Sequence, residues 1–590
     1  MNDIKNRLVA LRHQMSKNDI AAYIIPGTDP HAGEYIPDYW KERDWISGFT
    51  GSAGTAAVTL DKAFVWVDSR YFIQADDQLK GTGFAAMKMG LPDTPDMLKW
   101  IAGELKVGDR VGVNPLLFSV NAYATMGKLF AAHGISFSSI DLIKDIWSDR
   151  PAIPSEKVFA FDVKYAGKSC SEKIALVRKS LSDTQTDMLV LNALDDIAWL
   201  FNIRGNDVDY NPVTTAYASV SFDKSVIYIS SDKIDDNLKA YFRSNDVLVK
   251  DYLDIYKDLP NISTDTKVLI DGNKLNQSLF ECIKTEVVNT LSPVAALKSI
   301  KNNVEIEGVR NAMIKDGVAL TRFFIWLENN VDSGTLSEIS ISDKLYKFRA
   351  EQDLFYGESF STIAGYADHG AIVHYKADDS SDANILPEGI LLLDSGGQYL
   401  DGTTDITRTI SFDTPTSQQT ADFTLVLKGH IGIATAVFPI GTRGSQLDIL
   451  ARKALWDRGM NYGHGTGHGV GHFLNVHEGP QNIRMDENST ILQPGMIISN
   501  EPGLYRKGEY GIRTENLILV VEDQTTDFGE FLKFETLTLF PIDINLIDKA
   551  LLTDKEILWL NEYHQMVYDK LSPYLNTSEK EWLSQKTKAI

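Results

Sequence analysis

The first half of the chain contains two copies of one α/β pattern, and this repeat constrains the fold more than any other feature. In the first copy, residues 45–51 (WISGFTG) precede VTLDK and the apolar segment AFVWV. In the second copy, residues 199–205 (WLFNIRG) precede VSFDK and SVIYI. Each copy follows an amphipathic helical pattern, at residues 6–15 and 171–181, and a short apolar strand. This order predicts two α/β domains of common ancestry. The alternative is coincidence between two common α/β patterns.

Chain length predicts a third domain, because 590 residues exceed the roughly 250–300 residues at which single cores stop growing. Prolines near residues 151–154 and 293 indicate boundaries and predict domains at 1–152, 153–297 and 298–590. The third domain is predicted to begin with a long helix at 304–329. It is predicted to end in a helical tail, where Thr553 and Glu556 form a capping box. The predicted fold class is α/β (α+β).

The charge balance and the cysteine content narrow the functional classes. The chain has 58 Lys and Arg against 80 Asp and Glu, a net charge of −22, which argues against nucleic acid or an anionic membrane as partner. Two cysteines, Cys170 and Cys282, are too few for a disulfide framework. The sequence shows neither a secretory signal nor an apolar run of about 18 residues. We therefore expect a cytoplasmic protein.

A strand that ends in a carboxylate is predicted at residues 390–394 (ILLLD). Residues 395–397 (SGG) then turn the chain into a second strand that begins near Asp405 and alternates in period two. A hairpin of this kind would bring Asp394 and Asp405 face to face. Burial of an isolated carboxylate is costly, and a metal ion would compensate for it. The alternative is an exposed aspartate at a turn.

Seven of the eleven histidines lie between His369 and His477, and three of them lie in GHGTGHGVGH, residues 463–472. Their spacing matches a helix face, but five alternating glycines argue against a helix. An extended segment would instead place alternate residues on one side, so that one histidine binds metal while another faces substrate. A flexible loop is the alternative. The residues predicted on that side are His464, Thr466, His468, Val470 and His472.

Two further carboxylates complete the pattern. Glu501 follows an apolar strand and precedes a Pro-Gly turn, and Arg513 and Glu515 are predicted on one face of a strand in GIRTENLILV. Four converging carboxylates would repel by several kcal/mol at an effective dielectric constant of about 20, and two divalent ions would cancel that charge. A bridging hydroxide would then be ready to attack a carbonyl. Oxygen-rich ligation with one nitrogen favours Mn²⁺, with Zn²⁺, Co²⁺ or Fe²⁺ as alternatives.

The blocks DSGGQYLDGTTDITRT, HGTGHGVGH, NEPG and GIRTEN resemble the signatures of the Xaa-Pro aminopeptidase (aminopeptidase P) family, metallopeptidases with the pita-bread catalytic fold. SGFTGSAGTAAV and VDSRYFIQA are similar to the long, three-domain cytosolic form. The resemblance covers all three domains. It implies two creatinase-like α/β domains followed by a pita-bread domain.

The resemblance also implies a role for each site residue. Glu501 would carry a proton from the attacking water to the leaving proline nitrogen. His477 would hydrogen-bond the scissile group or stabilise the tetrahedral intermediate, and His464 would lie beside the proline pocket. His374, Tyr505 and Arg513 would lie on the substrate side. The five implied metal ligands, of which Asp405 and Glu515 would be shared by both ions, are Asp394, Asp405, His468, Glu501 and Glu515.

The implied substrates are peptides with proline at the second position, cleaved by a homodimer that carries two divalent ions per subunit. Prolidase is the nearest alternative, because it uses the same ligands on dipeptides. Methionine aminopeptidase shares the catalytic fold but needs no counterpart of the first half of the chain. Creatinase-like relatives do not use these ligands. A non-catalytic pita-bread binding module is a further alternative, although such modules typically lose ligands.

Overall fold

The computed structural model describes residues 2–590. These residues form two compact units, one comprising residues up to 163 together with 168–296, and the other comprising 164–167 together with 297–590. The three-domain division made from the sequence stays a prediction. Among the described residues, no helix combines the length and apolar character needed to cross a membrane.

The helices are numbered in chain order. Those up to residue 299 are α1 Asn2–Lys17, α2 Glu42–Ser47, α3 Phe72–Gln78, α4 Met97–Glu104, α5 Val120–Ala132, α6 Val163–Ala166, α7 Cys170–Asp183, α8 Leu194–Leu200, α9 Asp236–Ser244, α10 Ile255–Asp258, α11 Gln277–Phe280 and α12 Pro293–Ser299. The later ones are α13 Asn303–Asn330, α14 Glu338–Ala350, α15 Ser417–Ala434, α16 Gly444–Trp456, α17 Asp554–Leu571 and α18 Thr577–Lys586.

The strands are numbered in the same way. Those of the first unit are β1 Ala22–Pro26, β2 Thr55–Thr59, β3 Ala63–Val67, β4 Ala85–Lys88, β5 Arg110–Val113, β6 Ser136–Ser139, β7 Phe159–Ala160, β8 Met188–Leu191, β9 Ile203–Arg204, β10 Ala216–Ser221, β11 Ser225–Ile229, β12 Val247–Lys250, β13 Val268–Ile270 and β14 Val287–Asn289. Those of the second unit are β15 Phe355–Glu358, β16 Ile363–Tyr366, β17 Ile390–Ser395, β18 Gly397–Tyr399, β19 Gly402–Thr403, β20 Ile406–Ser411, β21 Val437–Pro439, β22 Gly467–Gly469, β23 Glu478–Ile483, β24 Ile497–Asn500, β25 Gly503–Arg506, β26 Tyr510–Arg513, β27 Asn516–Thr526 and β28 Gly529–Thr536.

The first unit contains two six-stranded sheets of the same topology. Their strand orders are β4-β3-β2-β1-β5-β6 and β12-β11-β10-β8-β13-β14. In both sheets the first three strands of the copy pair antiparallel and the outer strands are added in parallel. Equal order and equal directions confirm the repeat predicted from the sequence.

The two copies meet through equivalent residues. Ser119 and Asn276, the N-cap residues of α5 and α11, form an antiparallel bridge. On either side of it, Val120 N donates to Leu275 O and Gln277 N donates to Phe118 O, both at 2.9 Å. Each copy therefore gives and receives the same bond, as the two subunits of an isologous dimer do.

The second unit begins with the predicted long helix. The side chain of Asn302 caps α13 by accepting from Val304 N and Glu305 N, and Glu305 returns a bond to Asn302 N. Thr553 and Glu556 form the same kind of box at α17. Both predicted helices are confirmed, because reciprocal capping satisfies backbone donors that the first turn leaves free. Their apolar faces pack into the main core of this unit.

Four sheets of the second unit build the region in which the predicted site residues lie. The orders are β16-β17-β20, β15-β18-β19, β21-β28-β27-β24-β22-β23 and the hairpin β25-β26. The first and third are joined where Glu515 N, just before β27, donates to Thr407 O of β20 at 3.1 Å. The ends of β17, β20, β24 and β27 therefore converge on one place.

The structure corrects three local predictions. β17 and β20 pair, but a second small hairpin, β18–β19, replaces the simple turn, and Asp394 lies opposite Thr407 instead of Asp405. The segment GIRTENLILV is two strands in different sheets, because β26 pairs with β25 while β27 pairs with β24 and β28.

The third correction concerns the histidine-glycine segment, which is extended only at residues 467–469. Beyond Gly469 the chain turns, and Gly471 N donates to Asn475 O at 3.0 Å. His472 therefore leaves the row of alternate residues. Its Nε2 lies 3.1 Å from Tyr165 O.

Candidate active site

Each of the four predicted carboxylates lies at the end of a strand. Asp394 is the last residue but one of β17, Asp405 immediately precedes β20, Glu501 immediately follows β24, and Glu515 immediately precedes β27. Asp394, Asp405 and Glu515 are buried, and Glu501 is half-buried. At a strand end, the sheet fixes the backbone of the residue while the side chain stays free of strand pairing. The four strand ends converge, so the four carboxylates share one region.

Three of the predicted ligands form a compact cluster. One atom each from Asp405, His468 and Glu515 lies within 4.8 Å of the others. His468 Nε2 is 3.4 Å from Asp405 Oδ2 and 3.5 Å from Glu501 Oε1. Bonds of about 2.0–2.2 Å to a shared ion would separate two ligand atoms by about 3–3.5 Å. The observed spacing suits ligands around one ion.

The tautomer of His468 supports the same interpretation. Its Nδ1 lies 3.0 Å from Gly469 O and donates to it. Nε2 then faces the carboxylate oxygens of Asp405 and Glu501. This contact is favourable only when positive charge lies between the atoms, either a proton on Nε2 or, in the loaded protein, a metal ion. A carbonyl that holds the other ring nitrogen is the usual partner of a metal-binding histidine.

Asp394 is held by one oxygen only. Its Oδ2 accepts from Arg513 Nη2 at 2.6 Å. Its Oδ1 is buried, with no hydrogen-bond partner among the described residues. A buried carboxylate oxygen without a partner is costly, and a divalent ion would satisfy it.

The electrostatics of the cluster favour cations. Burial, followed by repulsion from neighbouring carboxylates, raises the pKa of Glu515, and burial raises the pKa of Asp394 despite Arg513. Burial also raises the pKa of Glu501 to about 7. Burial alone would lower the pKa of His468, but Asp405 and Glu501 together raise it to about 9. Buried carboxylates this close together are stable as anions only when positive charge lies nearby, and two divalent ions would supply that charge.

Two hydroxyl groups hold the carboxylates, and neither was predicted from the sequence. Thr407 Oγ1 donates to Glu515 Oε2 at 2.8 Å and accepts from Arg513 Nε at 3.1 Å. Ser499 Oγ donates to Glu501 Oε1 at 3.2 Å and accepts from His468 N at 3.0 Å. The period-two alternation after Asp405 would place Thr407 on the same face, but its bonds to Glu515 and Arg513 depend on strands distant in the sequence.

A chain of polar contacts runs along the substrate side. Arg513 Nη1 donates to Tyr505 Oη at 2.7 Å, and Tyr505 Oη lies 2.8 Å from His464 Nε2. Because His464 Nδ1 lies 2.7 Å from Gly465 O and donates to it, Tyr505 is the donor to Nε2. Arg513, Tyr505 and His464 thus form one oriented unit that begins at Asp394.

The other two predicted histidines are placed less directly. The rings of His477 and His468 meet edge to face, with centroids 4.3 Å apart. His374 is half-buried in a turn. Arg513 Nη2 lies 3.4 Å from Val373 O, the carbonyl next to His374. All of the predicted site residues therefore belong to this region of the second unit, whereas their individual roles stay predictions.

Comparison with known proteins shows that the fold is that of a metallopeptidase. The model of metallopeptidase family M24 matches residues 307–522, and the model of its C-terminal region matches 530–590. The Creatinase/Prolidase N-terminal domain matches twice, at residues 7–145 and 149–305. The chain belongs to metallopeptidase family M24 and, within it, to the Xaa-Pro aminopeptidases.

Relatives match the chain from end to end. A probable Xaa-Pro aminopeptidase P from Laccaria bicolor is 43% identical over 98% of this chain and 92% of its own length. Aminopeptidase P2 from Arabidopsis thaliana is 39% identical over 100% of this chain and 89% of its own. X-prolyl aminopeptidase from Caenorhabditis elegans, a cytosolic enzyme with a di-nuclear active site, superposes with a TM-score of 0.95 at 36% identity and covers 100% of both chains. The predicted family and fold class are confirmed.

Proposed function

We propose that this protein removes the first residue from peptides whose second residue is proline, and that two divalent ions assist it. The single observation that carries the proposal is the set of strand-end carboxylates around His468 Nε2. Similarity to Xaa-Pro aminopeptidases over the whole chain supports the substrate class. The proposed ligands are Asp394, Asp405, His468, Glu501 and Glu515.

The donor set suits hard or borderline ions, with Mn²⁺ as first choice. When bound, the two ions would supply an activated water and polarise the scissile carbonyl. Arg513 holds Asp394 by one oxygen and leaves the other for ligation. Thr407 orients Glu515 in the same way.

Glu501 is the proposed proton carrier. Ser499 fixes its Oε1, and the bond from Glu501 N to Thr466 O at 2.8 Å fixes its backbone. A carboxylate held at this place accepts a proton from the attacking water and returns it to the departing proline nitrogen. That nitrogen needs the proton, because proline leaves as a secondary amine.

Three histidines are proposed to contact the substrate. An Xaa-Pro bond has no N–H and a fixed proline φ, so recognition has to rely on shape and on the carbonyl oxygens. His464, oriented by Tyr505, would border the proline ring. His477, set against His468, would donate to the oxygen that becomes negative in the tetrahedral intermediate, and His374 would contact the substrate from the opposite loop.

Prolidase activity is the second candidate, because the ligand set alone does not separate dipeptides from longer peptides. The duplicated first unit favours the aminopeptidase, since the aminopeptidase from Caenorhabditis elegans matches this chain over its full length. By analogy with that cytosolic relative we propose a cytoplasmic location. We also propose a homodimer.

The test compares Arg-Pro-Pro with Arg-Pro, using metal-stripped protein with and without added Mn²⁺. We expect metal-dependent release of arginine from the tripeptide and little release from the dipeptide. Cleavage of the dipeptide alone would replace the proposal with prolidase. Cleavage of neither by the metal-loaded protein would favour a binding module.

A further inference from the structure

The segment that carries His464 and His468 has little regular structure of its own. Only residues 467–469 belong to a strand, and five glycines alternate through the segment. Glycine loses more conformational entropy on ordering than any other residue. An external group must therefore hold the backbone of His464 in place.

Arg452 of α16 is that group. It is buried, and its guanidinium group donates from Nη1 to Tyr462 O at 2.7 Å and from Nη2 to His464 O at 2.8 Å. Its Nη1 also lies 3.1 Å from Asn461 Oδ1. The guanidinium carbon lies 3.9 Å from the centroid of the Tyr462 ring. One side chain thus satisfies the carbonyl of His464 and that of Tyr462, just before the segment, and stacks on the Tyr462 ring.

Asp448 completes the support one helical turn earlier. Its Oδ2 accepts from Arg452 Nε at 2.6 Å, and its Oδ1 accepts from Thr466 Oγ1 at 2.6 Å. Thr466 O in turn accepts from Glu501 N at 2.8 Å. The pair on α16 therefore reaches the backbone of the histidine proposed beside the proline pocket and the backbone of the proposed proton carrier.

We propose that Arg452, supported by Asp448, is a positioning residue that sets the preference for proline through His464. The inference rests on the proposed function. His464 takes its bond from Tyr505 only while its backbone is held, because its ring and its carbonyl belong to one residue and move together. An ammonium group cannot replace the planar fork that reaches both carbonyls.

The test measures kcat/KM for Arg-Pro-Pro and Arg-Ala-Pro with Mn²⁺-loaded protein. Arg452→Lys is expected to lower the ratio of the two values by about 10- to 100-fold, because a displacement near 1 Å can cost about 100-fold in rate and His464 would lie beside the proline ring. Asp448→Asn, which retains an acceptor for Thr466, is expected to lower it less. Arg458→Lys is the matched control, because Arg458 is exposed just beyond α16, and it is expected to keep the wild-type ratio.

A double-mutant cycle shows whether Arg452 acts through His464. If it does, Arg452→Lys changes the ratio little in a protein that already carries His464→Gln, because interacting residues are not additive. Metal content and thermal midpoint identify a variant that has merely unfolded, and Asp448→Asn then carries the test.

Two results would overturn the inference. A folded, metal-loaded Arg452→Lys protein with the wild-type ratio is one, and full additivity with His464→Gln is the other. The proposed function fails separately, when the wild-type protein itself shows no preference for Arg-Pro-Pro, and the inference then falls with it.

Discussion

At the scale of single residues, the site is organised by side chains that each perform two tasks. Arg513 forms an ion pair with Asp394 through Nη2 and orients Tyr505 by a hydrogen bond from Nη1. Thr407 joins Glu515 to Arg513 through one hydroxyl. A residue with two tasks couples the metal side to the substrate side, so its loss is expected to affect both.

Glu501→Gln tests the proposed proton carrier. The amide is nearly isosteric but cannot accept and return a proton, so kcat for Arg-Pro-Pro is expected to fall by about 100-fold or more. The circular dichroism spectrum should stay that of the wild type. Near wild-type kcat in this variant would contradict the assigned role.

Thr407→Val tests a residue whose role emerges only from the tertiary structure. The change keeps the shape but leaves Glu515 Oε2 without its donor, so Mn²⁺ affinity is expected to weaken by about 10- to 100-fold. Calorimetric titration measures it. Thr435→Val, at the exposed position that caps the C-terminus of α15, serves as the control and should bind Mn²⁺ as the wild type does. Unchanged affinity in Thr407→Val would remove Thr407 from the site.

At the scale of elements, loops without regular structure are held by buried charges from helices. Glu338 of α14 is buried and accepts from four donors that flank His374 on both sides. They are Tyr366 N, His369 Nδ1, Tyr375 Oη and Ala383 N, at 2.7–3.0 Å. One carboxylate therefore closes the loop that carries His374.

The Glu338–His369 contact predicts a pH dependence of stability. The hydrogen bond to Glu338 raises the pKa of His369 above 6.5, against a smaller effect of burial. A raised histidine pKa stabilises the fold below the unfolded value, and this stabilisation is lost as pH rises through the folded value. His369 is partly exposed, so the effect should not exceed about 1 kcal/mol.

Urea unfolding at pH 6 and pH 9 measures this effect. The difference in unfolding free energy between wild type and His369→Gln should be larger at pH 6 than at pH 9. His133→Gln, at an exposed position after α5, should show no such change. A difference that grows with pH would contradict the assignment.

The elements also show what can be predicted from sequence. Capping boxes at Asn302 and Thr553 are local, so α13 and α17 were predictable from the residues themselves. The break between β26 and β27 was not, because it depends on which distant strands pair with each half. The five candidate ligands could be named from sequence because each lies in a short, recognisable motif. The roles of Thr407, Ser499 and Arg452 depend on tertiary contacts and could not be predicted in this way.

At the scale of the whole molecule, an internal duplication precedes a catalytic unit whose acidic centre is unfavourable without cations. Ions that bind only the folded protein stabilise it by about 2.7 kcal/mol when their concentration is 100 times the dissociation constant. Removal of metal with a chelator is therefore expected to lower the thermal midpoint, and Mn²⁺ should restore it. An unchanged midpoint would show that the carboxylates tolerate one another without ions.

Four carboxylates at converging strand ends, together with His468 of β22, are proposed to hold two divalent ions. The most direct measurement is the metal content per chain, by inductively coupled plasma mass spectrometry. Metal-stripped protein is first equilibrated with Mn²⁺ and then freed of excess ions. We expect two Mn²⁺ per chain in the wild type and fewer in Asp405→Asn, which lacks one of the ligands proposed to be shared by both ions. One ion or none in the wild type, or two in Asp405→Asn, would contradict the proposal.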